Sequence, residues 1–354
     1  MRNGELRFGY WINRPLIGGG PFDAIMQGML AEKTGFDSVW LGDHFMLWAG
    51  EFGETFTGLT AIGMKTNRVR LSPSVTDPLR RHPATLAQII ASVDALTKGR
   101  AGLGIGAGEA LNLLPFGIRW EKPLTTLREA VEVIKLLWES TSEKPANYSG
   151  KIFQVKNGYV KIKPVQKPHP PIYIGALRQK TRELVGEIAD GYFPWINSPE
   201  TYRVRLNEIE RGAKKVGRSL DDIDRVAVLC LAISKDVNQA RGAIQNYSSS
   251  ALVLEKDVLE YHGYSIESSE KPSMQLSLFT PEDFKFIEEQ SKLVPSEIVE
   301  KVSAFGTTQN CIDRIEEFIK SGANHVVVLD YSPDFKFSMK AFHDEIIPYF
   351  KQQC

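Results

Sequence analysis

Cysteine is nearly absent from this chain. Its three residues, Cys230, Cys311 and Cys354, are odd in number, far apart and in no C-x-x-C pairing. That pattern excludes a disulfide framework and offers no zinc-site spacing, so no metal centre is expected. An excess of one charge is also missing: 43 Lys and Arg balance 43 Asp and Glu, for a formal net charge of zero. With no basic stripe or polybasic run, nucleic acid and membrane surfaces are not the expected partners; a small molecule is. No stretch approaches 18 consecutive apolar residues. The start, Met1–Ile12, has no apolar core followed by a small-residue cleavage site. The chain therefore reads as soluble and cytoplasmic.

What is present is apolar material in a regular rhythm. Hydrophobic residues make up 42% of the 354, enough for a large core. Short β-branched or aromatic runs fall at Leu6–Trp11, Ser38–Leu41, Val69–Ser74, Gly102–Ile105, Ile172–Ile174, Tyr192–Pro194, Val226–Ile233 and Val326–Leu329. Helical periodicity separates them: Ala84, Ala87, Ile90 and Leu96 in one segment, Leu127, Val131, Ile134, Leu137 and Trp138 in another. Eight strand–helix alternations without a compositional break predict one α/β domain over 1–354, a (β/α)₈ TIM barrel. An open doubly wound sheet is the structural alternative. Two insertions are expected. One is a hairpin at about 145–165, turning at Asn157-Gly158. The other is a polar excursion at 255–292, containing Ser268-Ser269, between the seventh and eighth units.

In such a barrel the chemistry lies just past the strand C-termini. Asp43-His44 follows the second strand, with Trp48 shortly after. Histidine titrates near neutral pH and suits proton transfer. A helix cap by Asp43 and a satisfied core histidine account for the pair equally well. Gly104–Glu109 alternates glycines, which lets backbone approach something flat or bulky. It fails the dinucleotide fingerprint, because Glu109 stands where the last glycine belongs. It is also consistent with a tight turn capped by Glu109. After the fifth strand, Gly175-Ala176-Leu177-Arg178 leads into a helix at about Gln179. Free N–H groups there, with Arg178 and Lys180 nearby, would suit an anion; solvated charges are the bland alternative. Trp11, Trp48, Phe193 and Trp195 point to an apolar, aromatic-lined substrate pocket.

Together the LGDHFMLW, SPSVTDP, GRAGLGIGAGEALN, PIYIGA and GTTQNCIDRIEEFIKSGANHVVV segments resemble the bacterial-luciferase-like superfamily. They are most similar to its branch using coenzyme F420, an 8-hydroxy-5-deazaflavin. The GEALN stretch looks like the branch's alcohol and sugar-phosphate dehydrogenases, and Phe116–Lys135 like its methylenetetrahydromethanopterin reductases. The resemblance implies hydride transfer to or from a small alcohol, ketone or pterin-type substrate. It also implies a homodimer or higher homo-oligomer. It gives catalytic roles to His44, Trp48 and Glu109, with His44 taking or giving the substrate hydroxyl proton. It gives coenzyme contacts to Asp43, Ser74, Val75, Gly106, Gly108, Asn112, Gly175, Ala176, Leu177 and Arg178, with a cis peptide at Ser74–Val75. Sugar-phosphate-oxidising members carry an acid soon after the first strand; Tyr10–Pro15 has none, which argues against a sugar phosphate. An FMN-dependent monooxygenase on the same fold is the alternative, and a non-catalytic flavin-binding barrel a third.

Overall fold

The computed structural model describes residues 6–16, 18–46, 52–265 and 280–352. Among the described residues eleven strands form: β1 (Arg7–Ile12), β2 (Ser38–Leu41), β3 (Arg70–Pro73), β4 (Leu103–Ile105), β5 (Ala146–Ser149), β6 (Gln154–Gly158), β7 (Ile172–Gly175), β8 (Gly191–Phe193), β9 (Asp224–Ile233), β10 (Ser303–Gly306) and β11 (His325–Asp330). Eight of them lie side by side in the order β3-β2-β1-β11-β9-β8-β7-β4. Every neighbouring pair in that order is parallel. Parallel pairing demands long crossovers, and helices such as Pro83–Leu96, Pro123–Glu139 and Pro199–Lys215 supply them. The eight expected strands are these eight.

The ring closes between β3 and β4. Bridges join Leu71 to Ala101 and Thr76 to Ile105. Gly102 N–H donates to Leu71 O at 2.8 Å, and Gly106 N–H to Thr76 O at 2.7 Å. Between the two bridges the ladder is interrupted, and the Ser74–Val75 peptide there is cis. The interruption brings Val75 against glycine backbone: a Cβ on Gly106 or on Gly175 would lie 2.9 Å from Val75 Cγ2. A Cβ on Gly104 would meet Pro73 O at 2.0 Å. The glycines of the β4 segment are therefore required by close approach.

Alternation along the strands sorts two layers. Val39, Leu41, Val326 and Val328 face the helices in the outer core. Trp40, Val226, Val228, Cys230, Val327 and Leu329 fill the barrel. Trp40 is the central plug, 4.5 Å from the Phe193 ring and 5.0 Å from the Tyr173 ring.

Two expectations need correction. The hairpin exists, as antiparallel β5–β6, but its turn is at Gly150–Phe153 rather than Asn157-Gly158, which ends β6 opposite Ala146. Glu129, on the helix Pro123–Glu139, sets this turn by accepting N–H bonds from Lys151, Ile152 and Phe153 at 2.7, 2.9 and 3.0 Å. The excursion is partly regular: within 255–292, helices form at Lys256–Tyr261 and Pro281–Ser291, while Ser268-Ser269 lie outside the described residues. One strand was not expected. β10 lies outside the ring, pairing with the last four residues of β9.

Candidate active site

The carboxyl ends of the barrel strands surround a cavity whose space, open solvent at its mouth included, is about 1100 Å³. Its walls come from β1, β2, the β3–β4 seam, and the segments after β4, β7 and β8. That is where inward-pointing side chains run out and loops take over.

One wall is polar and built around Asn112. Its Oδ1 accepts the Phe45 N–H at 2.9 Å, while its Nδ2 lies 2.9 Å from His44 Nδ1 and 3.1 Å from Glu109 Oε2. His44 and Glu109 come within 3.6 Å of each other. The floor is the Ser74–Val75 peptide with Gly106, Ala107 and Gly175 around it. The far wall is aromatic. Trp11, Phe193, Trp195 and Tyr247 all face the cavity. Trp195 Nε1 donates to Tyr247 OH at 3.3 Å, and the Tyr247 ring stacks on Tyr331 at 4.6 Å. Burial pushes the Tyr247 phenol up, well away from any titration near neutral pH.

Of the residues expected at a site, His44, Ser74, Val75, Gly106, Gly108, Glu109, Asn112, Gly175, Ala176 and Leu177 line this one cavity. Asp43 and Arg178 do not. Asp43 is buried, and its carboxylate accepts from Arg80 Nη2 at 2.9 Å and from Arg81 Nη1 at 2.7 Å. It acts as a strut joining the β2 and β3 loops. Arg81 extends the strut to Glu54 at 2.8 Å; burial would lower its pKa, but Asp43 and Glu54 hold it raised. Arg178 meets Asp257 at 2.9 Å, so its charge is turned toward the helix Lys256–Tyr261. Trp48 lies outside the described residues.

Thr76, Asp77 and Thr181 stood in the segments after the strands without an assigned role, and two lining residues, Arg80 and Tyr247, escaped the sequence reading. Arg80-Arg81, next to the SPSVTDP segment, was a visible signal. Tyr247 gave none, because it sits inside the long helix Val237–Leu254.

The cavity offers unmet polar atoms. Ser74 Oγ, Trp11 Nε1 and Arg80 Nη1 are buried without a hydrogen-bond partner among the described residues, and all three residues line it. Buried polar groups are normally satisfied, so these mark places where a ligand completes the bonding. A flat ring with polar edges fits the glycine-lined floor and these donors. Among the described residues no His, Cys, Asp and Glu group could hold a metal, and no helix is long and apolar enough to cross a membrane.

Fold and site thus define a (β/α)₈ barrel with a cavity, aromatic on one wall, at the carboxyl ends of its strands. The chain belongs to the luciferase-like monooxygenase family, whose model matches residues 17–325. It is 35% identical to a 5,10-methylenetetrahydromethanopterin reductase of Archaeoglobus fulgidus, over 91% of this chain and 94% of that protein. It is 30% identical to an F420-dependent glucose-6-phosphate dehydrogenase of Microbacterium testaceum, over 97% of both. An F420-dependent secondary alcohol dehydrogenase in complex with an F420-acetone adduct superposes with a TM-score of 0.83 at 26% identity, covering 98% and 99% of the two chains. The coenzyme F420-dependent tetrahydromethanopterin reductase of Methanopyrus kandleri gives 0.81 at 28%, covering 98% and 100%.

Proposed function

We propose that this protein is a coenzyme F420-dependent oxidoreductase that moves hydride to or from a small alcohol, ketone or pterin-type substrate. The observation that carries the reading is the meeting of the His44–Asn112–Glu109 cluster with the glycine-cradled Ser74–Val75 floor in one cavity. Relatives that use F420 on this fold support the same reading. The residues that would hold the coenzyme are Ser74 and Val75, Gly106 and Gly108, and the Gly175–Leu177 segment with Thr181. When bound, a deazaflavin supplies a ring carbon that gives or takes hydride, two electrons at a time.

The rest falls to this chain's own side chains. Val75 and the glycine backbone would form the surface that holds the coenzyme ring. Trp11, Phe193 and Trp195 exclude water and shape an apolar substrate space opposite it. His44 and Glu109 handle the polar atom of the substrate, and Asn112 holds them in register. The Asp43–Arg80–Arg81 strut keeps the β2 and β3 loops together, and Arg80 also lines the cavity.

The test is a pair of fluorescence titrations, with oxidised F420 and with FMN. Tight F420 and weak FMN binding is expected, followed by turnover in a screen of alcohols, ketones and reduced pterins. Tight FMN binding with no F420 response would overturn the reading in favour of the monooxygenase alternative.

The working form in this reading is a cytoplasmic homodimer. Phe22, Met26 and Met29 on the helix Gly20–Thr34, and Met64 on its neighbour Thr55–Lys65, are exposed apolar side chains that a second copy would cover. Native mass spectrometry at working concentration is expected to show two chains; a monomer would overturn that part.

A further inference from the structure

The amide of Asn112 can be oriented without ambiguity. Its Oδ1 faces the Phe45 N–H at 2.9 Å, a place only an acceptor can fill. The NH₂ group must then be the atom facing His44 Nδ1 at 2.9 Å and Glu109 Oε2 at 3.1 Å. One hydrogen goes to each. An amide nitrogen accepts nothing, so His44 Nδ1 is the acceptor and carries no hydrogen. In the neutral ring the single hydrogen is then on Nε2. Glu109 is the titratable group beside this nitrogen, at 3.6 Å, and the same Asn112 NH₂ bridges the two.

We infer that Asn112 is a positioning residue that locks neutral His44 in the Nε2–H tautomer, so that His44 offers its ligand a hydrogen-bond donor, matched to a carbonyl oxygen. This rests on the proposed function and sharpens what His44 does in it. A carbonyl oxygen gaining charge needs a donor, which this tautomer has. In the balanced step, a bound reduced deazaflavin would supply the hydride to the carbonyl carbon. The C=O π pair moves to oxygen, held by Nε2–H, and a proton from solvent completes the hydroxyl. His44 polarises the bond and keeps its own hydrogen.

The first test needs no coenzyme. Long-range ¹H–¹⁵N NMR of the histidine-labelled protein, at a pH where imidazoles are neutral, reads which ring nitrogen is protonated. His44→Gln assigns the signal by removing it. Nε2–H is expected; Nδ1–H, or an averaged mixture, overturns the lock whatever the coenzyme is. Asn112→Asp replaces the donor by an acceptor and should move the hydrogen to Nδ1. Reductive kcat should then fall roughly tenfold or more, the effect of mismatching one strong hydrogen bond, with KM for coenzyme little changed. An unchanged kcat overturns the positioning role. Should the Asp variant fail to fold, Asn112→Leu, which should let both tautomers appear, gives the same decision. Absent F420 binding with an Nε2–H signal would sink the proposed function and leave the lock standing.

Discussion

The barrel has a histidine–carboxylate cluster at each end, and only one of them faces space. At the amino end, His325 Nε2 lies 2.8 Å from Ser38 Oγ and its Nδ1 3.1 Å from Asp224 Oδ2. Tyr173 OH donates to the same carboxylate at 2.7 Å, and Arg7 pairs with it at 2.6 Å. The order Ser–His–Asp is that of a hydrolase triad. Yet Ser38 is 2% exposed and His325 1%, and the Ser38 hydroxyl is already accepting from Trp40 Nε1 at 2.9 Å. At the carboxyl end, His44, Glu109 and Asn112 border the cavity. The comparison teaches that residue type and spacing do not make a site. A reacting group also needs room for a substrate and bonding capacity left over. The lower cluster has neither and closes the barrel floor.

The sharpest way to break this comparison is to remove one histidine-side anchor at each end. His44→Ala is expected to lower kcat/KM by roughly a hundredfold or more, the usual scale for losing a group that stabilises charge at the reacting centre. The denaturation midpoint should barely move. Asp224→Ala should do the reverse. It strands the guanidinium of Arg7 and the imidazole of His325 and should cost about 3 kcal/mol of stability. The kinetics of the folded protein should stay close to wild type. Urea unfolding and steady-state kinetics on both variants decide it. Lost turnover without lost stability in the Asp224 variant would mean that the lower cluster serves catalysis.

A smaller effect is expected at the cavity floor. Gly106→Ala places a methyl 2.9 Å from Val75 Cγ2, and overpacking of this kind costs about 1–3 kcal/mol. Because Val75 lines the cavity, part of that should appear as weaker coenzyme binding, read by the same fluorescence titration. Equal loss of stability with unchanged affinity would show that the floor does not touch the ligand.

Sequence reading found what local pattern encodes. The barrel strands were legible as short β-branched or aromatic runs set between helical periodicities. The glycines of Gly104–Gly108 and the Asp43-His44 pair were legible as departures from what a strand end needs. Contacts made across the chain were not. β10 reads Ser-Ala-Phe-Gly and has no β-branched residue; it is a strand because β9 overruns the barrel and offers an edge. Asn157-Gly158 carries the local turn signal, with Asn157 at φ 50°, but Glu129, over twenty residues away, sets the turn at Gly150–Phe153 instead. The ion pairs of Asp43 could not be read locally, because its two arginine partners stand 37 and 38 residues further on.

The mildest probe is acid, and it separates two aspartates at opposite ends. Burial alone would raise the Asp224 carboxyl. The charge and hydrogen bond of His325, with Arg7 and Tyr173, outweigh it and bring it to about 2. Its folded value is below the ordinary one, so its stabilisation is complete above about pH 4 and is lost as pH falls toward 2. The amount at stake is about 2 kcal/mol. Asp330, at the carboxyl end of β11, goes the other way. Burial raises it, and the hydrogen bonds from Ser332 do not restore it. Holding that carboxylate charged opposes folding at neutral pH, and the opposition fades as acid protonates it. Urea midpoints from pH 7 down to pH 2 should therefore fall for the wild type, and Asp224→Asn should remove most of the slope below pH 4. Asp330→Asn should raise the midpoint at pH 7, with the gain shrinking as pH drops. Identical slopes in all three proteins would mean that neither carboxylate carries the acid sensitivity. The contrast between the two ends would then rest on the cavity alone.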